Sequence, residues 1–202
     1  MAITTFAELK TAAGNWLDNP AWFSDRDDEF IALFEAKLNR RLRVRQQVTS
    51  SNITPSSGSV TLPSDYLEWI RLTWTGDPMR ELEYVEPSYL KAAFPTAPSD
   101  TPRFFTVEGA VIKIAPLDTT AVQLLYYAKV PALSDAATTN WLLTAHPDVY
   151  LFGTLTEAHA FNSEATQGQV WNARLEAALS EVERLSQQSR GQMQIRAYGS
   201  TP

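Results

Sequence analysis

The side chains suited to proton transfer near neutral pH are scarce here, since 202 residues contain only two histidines, His146 and His159. His146 stands just before Pro147 at a predicted helix start, and His159 lies in the apolar run Ala158-His159-Ala160-Phe161, so both read as structural. Neither belongs to a His-x-x-x-His or Glu-x-x-His pair, the spacing that sets two metal ligands on one helix face. Ser24, Ser64 and Ser88 lack the Gly-x-Ser-x-Gly surroundings of a strained nucleophile, and the eight glycines form no phosphate-cradling loop. The chain has no cysteine, which removes thiolate catalysis, disulfides and sulfur-ligated metals. The expectation is a protein without catalytic, cofactor or metal site.

What chemistry remains is charge. Asp25, Asp27, Asp28 and Glu29 form an acidic cluster without the alternating ligands and central glycine of a calcium loop, so it reads as helix-start electrostatics. Arg40, Arg41, Arg43 and Arg45 are the single basic patch. It is open to three readings: a solvated helix end, an ionic contact with the acidic helix start of a neighbouring copy, or a contact with DNA phosphates. No aromatic residue interleaves these arginines, which weighs against single-strand binding. A formal net charge of -6 and a pI near 5.0 argue against broad adhesion to nucleic acid. No window approaches the roughly 18 apolar residues of a membrane span, and the start of the chain lacks a basic-then-apolar leader. A soluble, unexported protein is expected.

These charges need elements to carry them. Thr5 and Glu8 have capping-box spacing, and Phe6, Leu9, Ala13 and Trp16 recur at helical intervals, which predicts a helix over residues 5–17. Asn19-Pro20 breaks that pattern. Ser24 is placed to cap a second helix with the acidic cluster in its first turn, the stripe Phe30, Phe34, Leu38 and Leu42, and the arginines at its end. From residue 48 to about 133 the period changes to alternation, with strands predicted at 67–74, 80–84, 103–107, 111–114 and 122–130. Ser56-Ser57-Gly58-Ser59 marks a turn, Glu108-Gly109-Ala110 a hairpin, and residues 87–94 a short helix. Residues 67–74 carry apolar side chains on both faces, as in a strand sandwiched in the fold or covered by another subunit. Pro147 opens a helix through Tyr150, Leu155 and Phe161. A last helix, at 166–188, carries a seam of Trp171, Leu175, Ala178, Val182 and Leu185. Residues 189–202 show no period over their length.

The fold class expected is therefore α+β: a bundle of about four helices, two N-terminal and two C-terminal, with a β-rich insertion and a flexible tail. The segments are 1–47 and 134–188 for the bundle, 48–133 for the insertion and 189–202 for the extension. Six Trp, seven Tyr and nine Phe exceed what core packing alone uses, so part of them is expected at interfaces.

Three stretches carry a resemblance. They are Leu62-Pro63-Ser64-Asp65-Tyr66-Leu67 before a tryptophan-containing strand, Leu124-Leu125-Tyr126-Tyr127-Ala128-Lys129-Val130-Pro131-Ala132-Leu133-Ser134-Asp135, and Asn140-Trp141-Leu142-Leu143 followed by His146-Pro147-Asp148. With the order of elements they resemble the head-to-tail adaptor family of tailed bacteriophages, also called tail tubular protein A in short-tailed phages. The resemblance implies a structural virion protein that forms a homo-oligomeric ring, a dodecamer, at the head–tail junction. Such a ring docks on the portal protein, carries the tail or nozzle protein and lets genomic DNA pass through its channel, after assembly in the host cytoplasm. It implies a portal-binding role for the C-terminal extension, here Arg190, Gln192, Met193, Ile195, Arg196 and Tyr198. From their clustered charge, and not from the resemblance, Asp25, Asp27, Asp28, Arg40, Arg41, Arg43 and Arg45 are the candidates for inter-subunit or DNA-facing contacts. Residues 189–202 contain no acid and mix Arg190 and Arg196 with Met193, Ile195 and Tyr198, a composition suited to folding against a partner.

Overall fold

The computed structural model describes residues 3–96 and 98–188. Its chain divides into two compact units, Met1–Gln46 with Val130–Pro202, and Gln47–Lys129. The described residues form seven α-helices: α1 (Phe6–Trp16), α2 (Pro20–Ser24), α3 (Asp27–Arg41), α4 (Pro87–Ala93), α5 (Trp141–Ala145), α6 (Pro147–Phe161) and α7 (Ala165–Gln188). They also form eight strands: β1 (Val48–Ile53), β2 (Ser59–Thr61), β3 (Tyr66–Trp74), β4 (Arg80–Glu81), β5 (Glu83–Tyr84), β6 (Phe104–Glu108), β7 (Val111–Ala115) and β8 (Val122–Ala128).

Six of the helices, all but α4, belong to the first unit, so the expected bundle of about four helices is replaced by a more finely divided one. Thr5 caps α1 as its spacing predicts: its hydroxyl accepts from the Glu8 amide at 3.3 Å, and the Glu8 carboxylate accepts from the Thr5 amide at 3.0 Å. The Thr4 amide, above all, holds the Glu8 carboxyl below its ordinary range. Trp16 does not join Phe6, Leu9 and Ala13 in the core; it stays 51% exposed, against Trp171 at 5.4 Å. Asn19-Pro20 begins a helix as well as ending one, because Asn19 Oδ1 accepts from the Trp22 amide at 3.3 Å and Pro20 loses no helical hydrogen bond at the first position. Ser24 consequently closes α2, its Oγ donating to the Ala21 carbonyl at 2.9 Å, and does not cap α3. Helix α3 follows Arg26 without a side-chain cap, with Asp27, Asp28 and Glu29 in its first turn to meet the helix dipole.

Phe30, Ile31, Phe34 and Leu38 of α3, Leu42 beyond it, and Val149, Tyr150, Leu155 and Ala158 of α6 make the centre of the first core. Helix α6 is buried nearly all round, which explains why its apolar residues show no single stripe. It meets α3 at Gly153, where a Cβ would lie 2.2 Å from the Phe34 ring. Helix α7 buries Leu175, Leu179, Val182 and Ser186, whereas Leu185 is 42% exposed. The spacing of the predicted seam is present but its phase differs. Leu175 and Val182 serve either phase, and burial of Ser186, whose Oγ accepts from the Arg45 amide at 2.9 Å, selects the observed one.

The second unit is two four-stranded sheets, ordered β1-β8-β3-β4 and β2-β7-β6-β5, antiparallel throughout except for the β5–β6 pair. Leu72, Trp74, Val122, Leu124 and Tyr126 of one sheet pack with Val60, Phe105, Ile112 and Ile114 of the other. The apolar character on both faces of β3 follows from two register shifts against β8, between Tyr66 and Glu68 and between Trp69 and Arg71, which reset the two-residue period. The strand predicted at 80–84 is two short strands in different sheets, changing over at the buried Leu82. Gly109, at φ 62°, turns the β6–β7 hairpin. The Pro63-Ser64-Asp65-Tyr66 stretch ties β3 to β8: Tyr126 Oη donates to Asp65 Oδ1 at 3.0 Å, and the Lys129 amide donates to the Asp65 carbonyl at 2.7 Å. Burial and then the Asp65 charge push the Tyr126 hydroxyl up to about 12.

The glycines of α6 and α7 are expected to respond oppositely to one methyl group. Gly153→Ala drives a Cβ into Phe34 and should cost about 1–3 kcal/mol. Gly168→Ala meets only His159 Cβ, at 3.7 Å, and should stabilise by up to about 1 kcal/mol through the lost backbone entropy. Urea midpoints of the helical circular-dichroism signal would check both signs.

Candidate functional site

Of the acidic cluster, Asp27 and Asp28 are engaged within the chain. Lys10 Nζ lies 3.5 Å from Asp27 Oδ1 and 2.5 Å from Asp28 Oδ1, joining α1 to the start of α3. Burial works against the charge on Lys10, but the bond to Asp28 and the charges of both aspartates outweigh it, raising the ammonium pKa. Asp25, in the α2–α3 link, is exposed.

The basic patch divides in the same way. Arg41 Nη1 lies 2.6 Å from both carboxylate oxygens of Glu176, with Glu183 at 3.9 Å, so it ties α3 to α7. Arg43 Nη1 donates to the Asn39 and Leu42 carbonyls at 2.9 and 2.7 Å, completing the C-terminal end of α3. Arg40 and Arg45 are exposed. The seven charged positions singled out from the sequence thus form no common cluster: Asp27 and Asp28 with Lys10, and Arg41 with Glu176, are internal clamps. Arg190, Gln192, Met193, Ile195, Arg196 and Tyr198 lie outside the described residues.

A buried polar network was not foreseen. Glu35 of α3, only 6% exposed, accepts at Oε1 from the Leu133 amide at 2.9 Å and from Tyr150 Oη at 3.1 Å. Asn140 Nδ2 donates to Tyr150 Oη at 2.6 Å and to the Pro131 carbonyl at 2.7 Å, while its Oδ1 caps α5 through the Leu143 amide at 2.8 Å. Asn39 Oδ1 receives the Val130 amide at 2.8 Å. The chain re-entering the helical unit is therefore held, at Val130, Pro131, Leu133 and Asn140, onto α3 and α6. Burial pushes the Glu35 carboxyl up against its two hydrogen bonds, and burial followed by the nearby Glu35 charge raises Tyr150. The signal was available: Glu35 stands four residues after Ile31, inside the stripe that α3 buries.

His146 sits between α5 and α6, its amide donating to the Leu142 carbonyl at 2.7 Å. His159 Nδ1 lies 2.7 Å from Glu164 Oε2 across the α6–α7 turn. Among the described residues no three His, Cys, Asp or Glu side chains converge to hold a metal, and no helix is long and apolar enough to cross a membrane.

A divided helical unit and a two-sheet sandwich on one chain define the class, a two-unit α+β protein. The family follows from comparison: residues 4–198 match the SU10 adaptor protein model, and the chain belongs to that family of phage head-to-tail adaptors. It is a bacteriophage structural protein of the adaptor kind. No curated protein matches the chain.

Glu35 should leave a signature in stability against pH. Its folded pKa is raised from 4.5, so its contribution is complete below that value and is lost as pH rises through the folded one. Glu35→Gln cannot ionise, and over that window its urea midpoint should gain on that of the native chain. A difference equal at every pH would contradict the assignment.

Proposed function

We propose that the chain is the subunit of a dodecameric head-to-tail adaptor ring, of the tail tubular protein A-like kind. The ring docks on the portal protein of a tailed phage after packaging, provides the platform for the tail or nozzle protein, and lets DNA pass through its channel during ejection. Assembly takes place in the host cytoplasm. No catalytic step, cofactor or metal belongs to this reading. The observation that carries it is the family match, which runs from residue 4 to residue 198 and so takes in both units.

Physical features support the parts. Trp16 and Phe161, 51% and 57% exposed on the helical unit, and Tyr84 and Tyr89, 42% and 53% exposed on the sandwich, are large aromatic surfaces of the kind that protein interfaces bury. With Asp27, Asp28 and Arg41 held internally, Asp25, Arg40 and Arg45 are the charges left to meet a neighbouring copy. The net charge of -6 suits a channel that DNA traverses without being gripped. The extension, with Arg190, Gln192, Met193, Ile195, Arg196 and Tyr198, engages the portal, and its lack of acid suits an acidic partner surface.

A chain ending at Gln188 should bind purified portal at least tenfold more weakly than the full chain, with the helical unit still folded. Undiminished affinity in a sedimentation or interferometry titration would overturn the portal-binding role of the extension.

A further inference from the structure

Helix α4 lies against one face of the β2-β7-β6-β5 sheet and leaves part of that face open. Alternation along the strands turns Val60, Phe105, Val107, Ile112 and Ile114 into the sandwich, so Ser59 of β2, Lys113 of β7 and Thr106 of β6 point to the other face. The register sets these three in one row, Ser59 opposite Lys113 and Lys113 opposite Thr106. On that face Tyr89 and Phe94 of the α4 region meet the Phe104 ring at 6.1 and 5.9 Å, and Leu90 is buried. A polar row beside apolar helix residues is a poor match. Thr106 shows the consequence, being fully buried with a hydroxyl that has no partner among the described residues.

The open part is a cleft of about 240 Å³ bounded by α4, by β7 and by the Ser57-Gly58-Ser59 turn. Leu90, Phe94 and Leu117 give it an apolar wall. Leu117 folds over Gly58, which stands at φ 72° and where a Cβ would lie 2.1 Å from Leu117 Cδ2, so that turn position takes glycine. Lys91 and Lys113 also line the cleft, with Ser57 and Ser59, and no acid does. The two lysines share one carboxylate beside it. Glu108 is bonded to Lys113 Nζ, and that bond, then the charges of Lys113 and Lys91, hold the Glu108 carboxyl below its ordinary range against its desolvation. Lys91 is exposed, and neither its ammonium nor the hydroxyls of Ser57 and Ser59 take a hydrogen bond or close ion pair among the described residues. One positive charge is left over beside an apolar wall, in a chain whose net charge is -6.

We propose that this cleft binds a carboxylate carried on a short apolar body, the oxygens set among Lys91, Lys113 and the serine hydroxyls and the body against Leu90, Phe94 and Leu117. The charge excess selects an anion. The apolar wall selects against a bare, strongly hydrated one such as phosphate, whose desolvation it cannot offset. The volume limits the size, since sites for drug-sized ligands run to roughly 300–1,000 Å³. A small aliphatic acid and the carboxyl-terminal residue of a polypeptide share this chemistry. The site lies within one unit of one chain and stands whether or not the proposed ring forms.

Amide chemical shifts of the full chain, titrated at low salt with octanoate, N-acetylleucine, octan-1-ol and inorganic phosphate, test the assignment. One or both acids should move the signals of residues 57–59, 90–94 and 113–117 saturably, and whichever acid binds more tightly tells a free aliphatic acid from a chain terminus. Octanol lacks the charge and phosphate the apolar body, so each should bind about tenfold more weakly or worse. Lys91→Met removes an exposed charge that holds no partner, and should weaken the acids about tenfold with the shifts of the remaining residues unmoved. Lys129→Met makes the same charge change beyond the end of β8, in the other sheet, and should alter binding by no more than about twofold. No saturable shift with either acid, phosphate binding as tightly as the acids, or undiminished affinity in Lys91→Met would overturn the proposal.

Discussion

The helical unit must close across a long interruption. Its chain leaves at Gln46 and returns at Val130, so α1–α3 and α5–α7 pack together only if the returning strand of chain is seized at a defined place. That place is the buried carboxylate of Glu35 with Tyr150 and Asn140, aided by Asn39. The cost of closing a long loop grows slowly with length, whereas a buried polar group left without a partner is expensive. The network therefore works as a register device. Leu133 and Pro131 satisfy Glu35 and Asn140 in one alignment, and a slip of one residue would leave a buried carboxylate or amide unmatched. Its amides come from the Val130-Pro131-Ala132-Leu133 and Asn140-Trp141-Leu142-Leu143 stretches, the same residues that carry the family resemblance. These motifs mark how the fold is held.

Charge plays a related part at the helix ends. Lys10 with Asp27 and Asp28 fixes α1 against the start of α3, and Arg41 with Glu176 fixes its end against α7. An exposed ion pair such as Arg41–Glu176 contributes little, about 0.2–1 kcal/mol, so it orients helices already packed by Phe30, Phe34, Leu38 and Leu175 more than it holds the unit together. In consequence fewer charges face outward than the composition suggests.

Much of the fold was legible in the sequence because local rules governed it. The Thr5–Glu8 box, Pro147 at the first position of α6 and the Gly109 hairpin act within a few residues. Misreadings arose where tertiary contacts decide. Two bulges scrambled the alternation of β3, the switch of sheets at Leu82 divided one predicted strand, and Ser186 chose the phase of α7 through a bond to Arg45, 141 residues away. The candidate site was less legible than the fold. A cluster of arginines in sequence says nothing of Glu176 in space, and Glu35 looked like one more helical acid until Leu133 and Tyr150 were seen to surround it. The 189–202 segment shows no period over its length.

In the proposed function this chain becomes a ring by meeting a portal. Sedimentation of the purified 22.6 kDa chain alone and with its portal tests it most directly. A portal-docked adaptor gives a small species alone and, with portal, a complex heavier than the portal by about twelve copies of the chain. A chain whose mass is unaltered by portal at any ratio would contradict it.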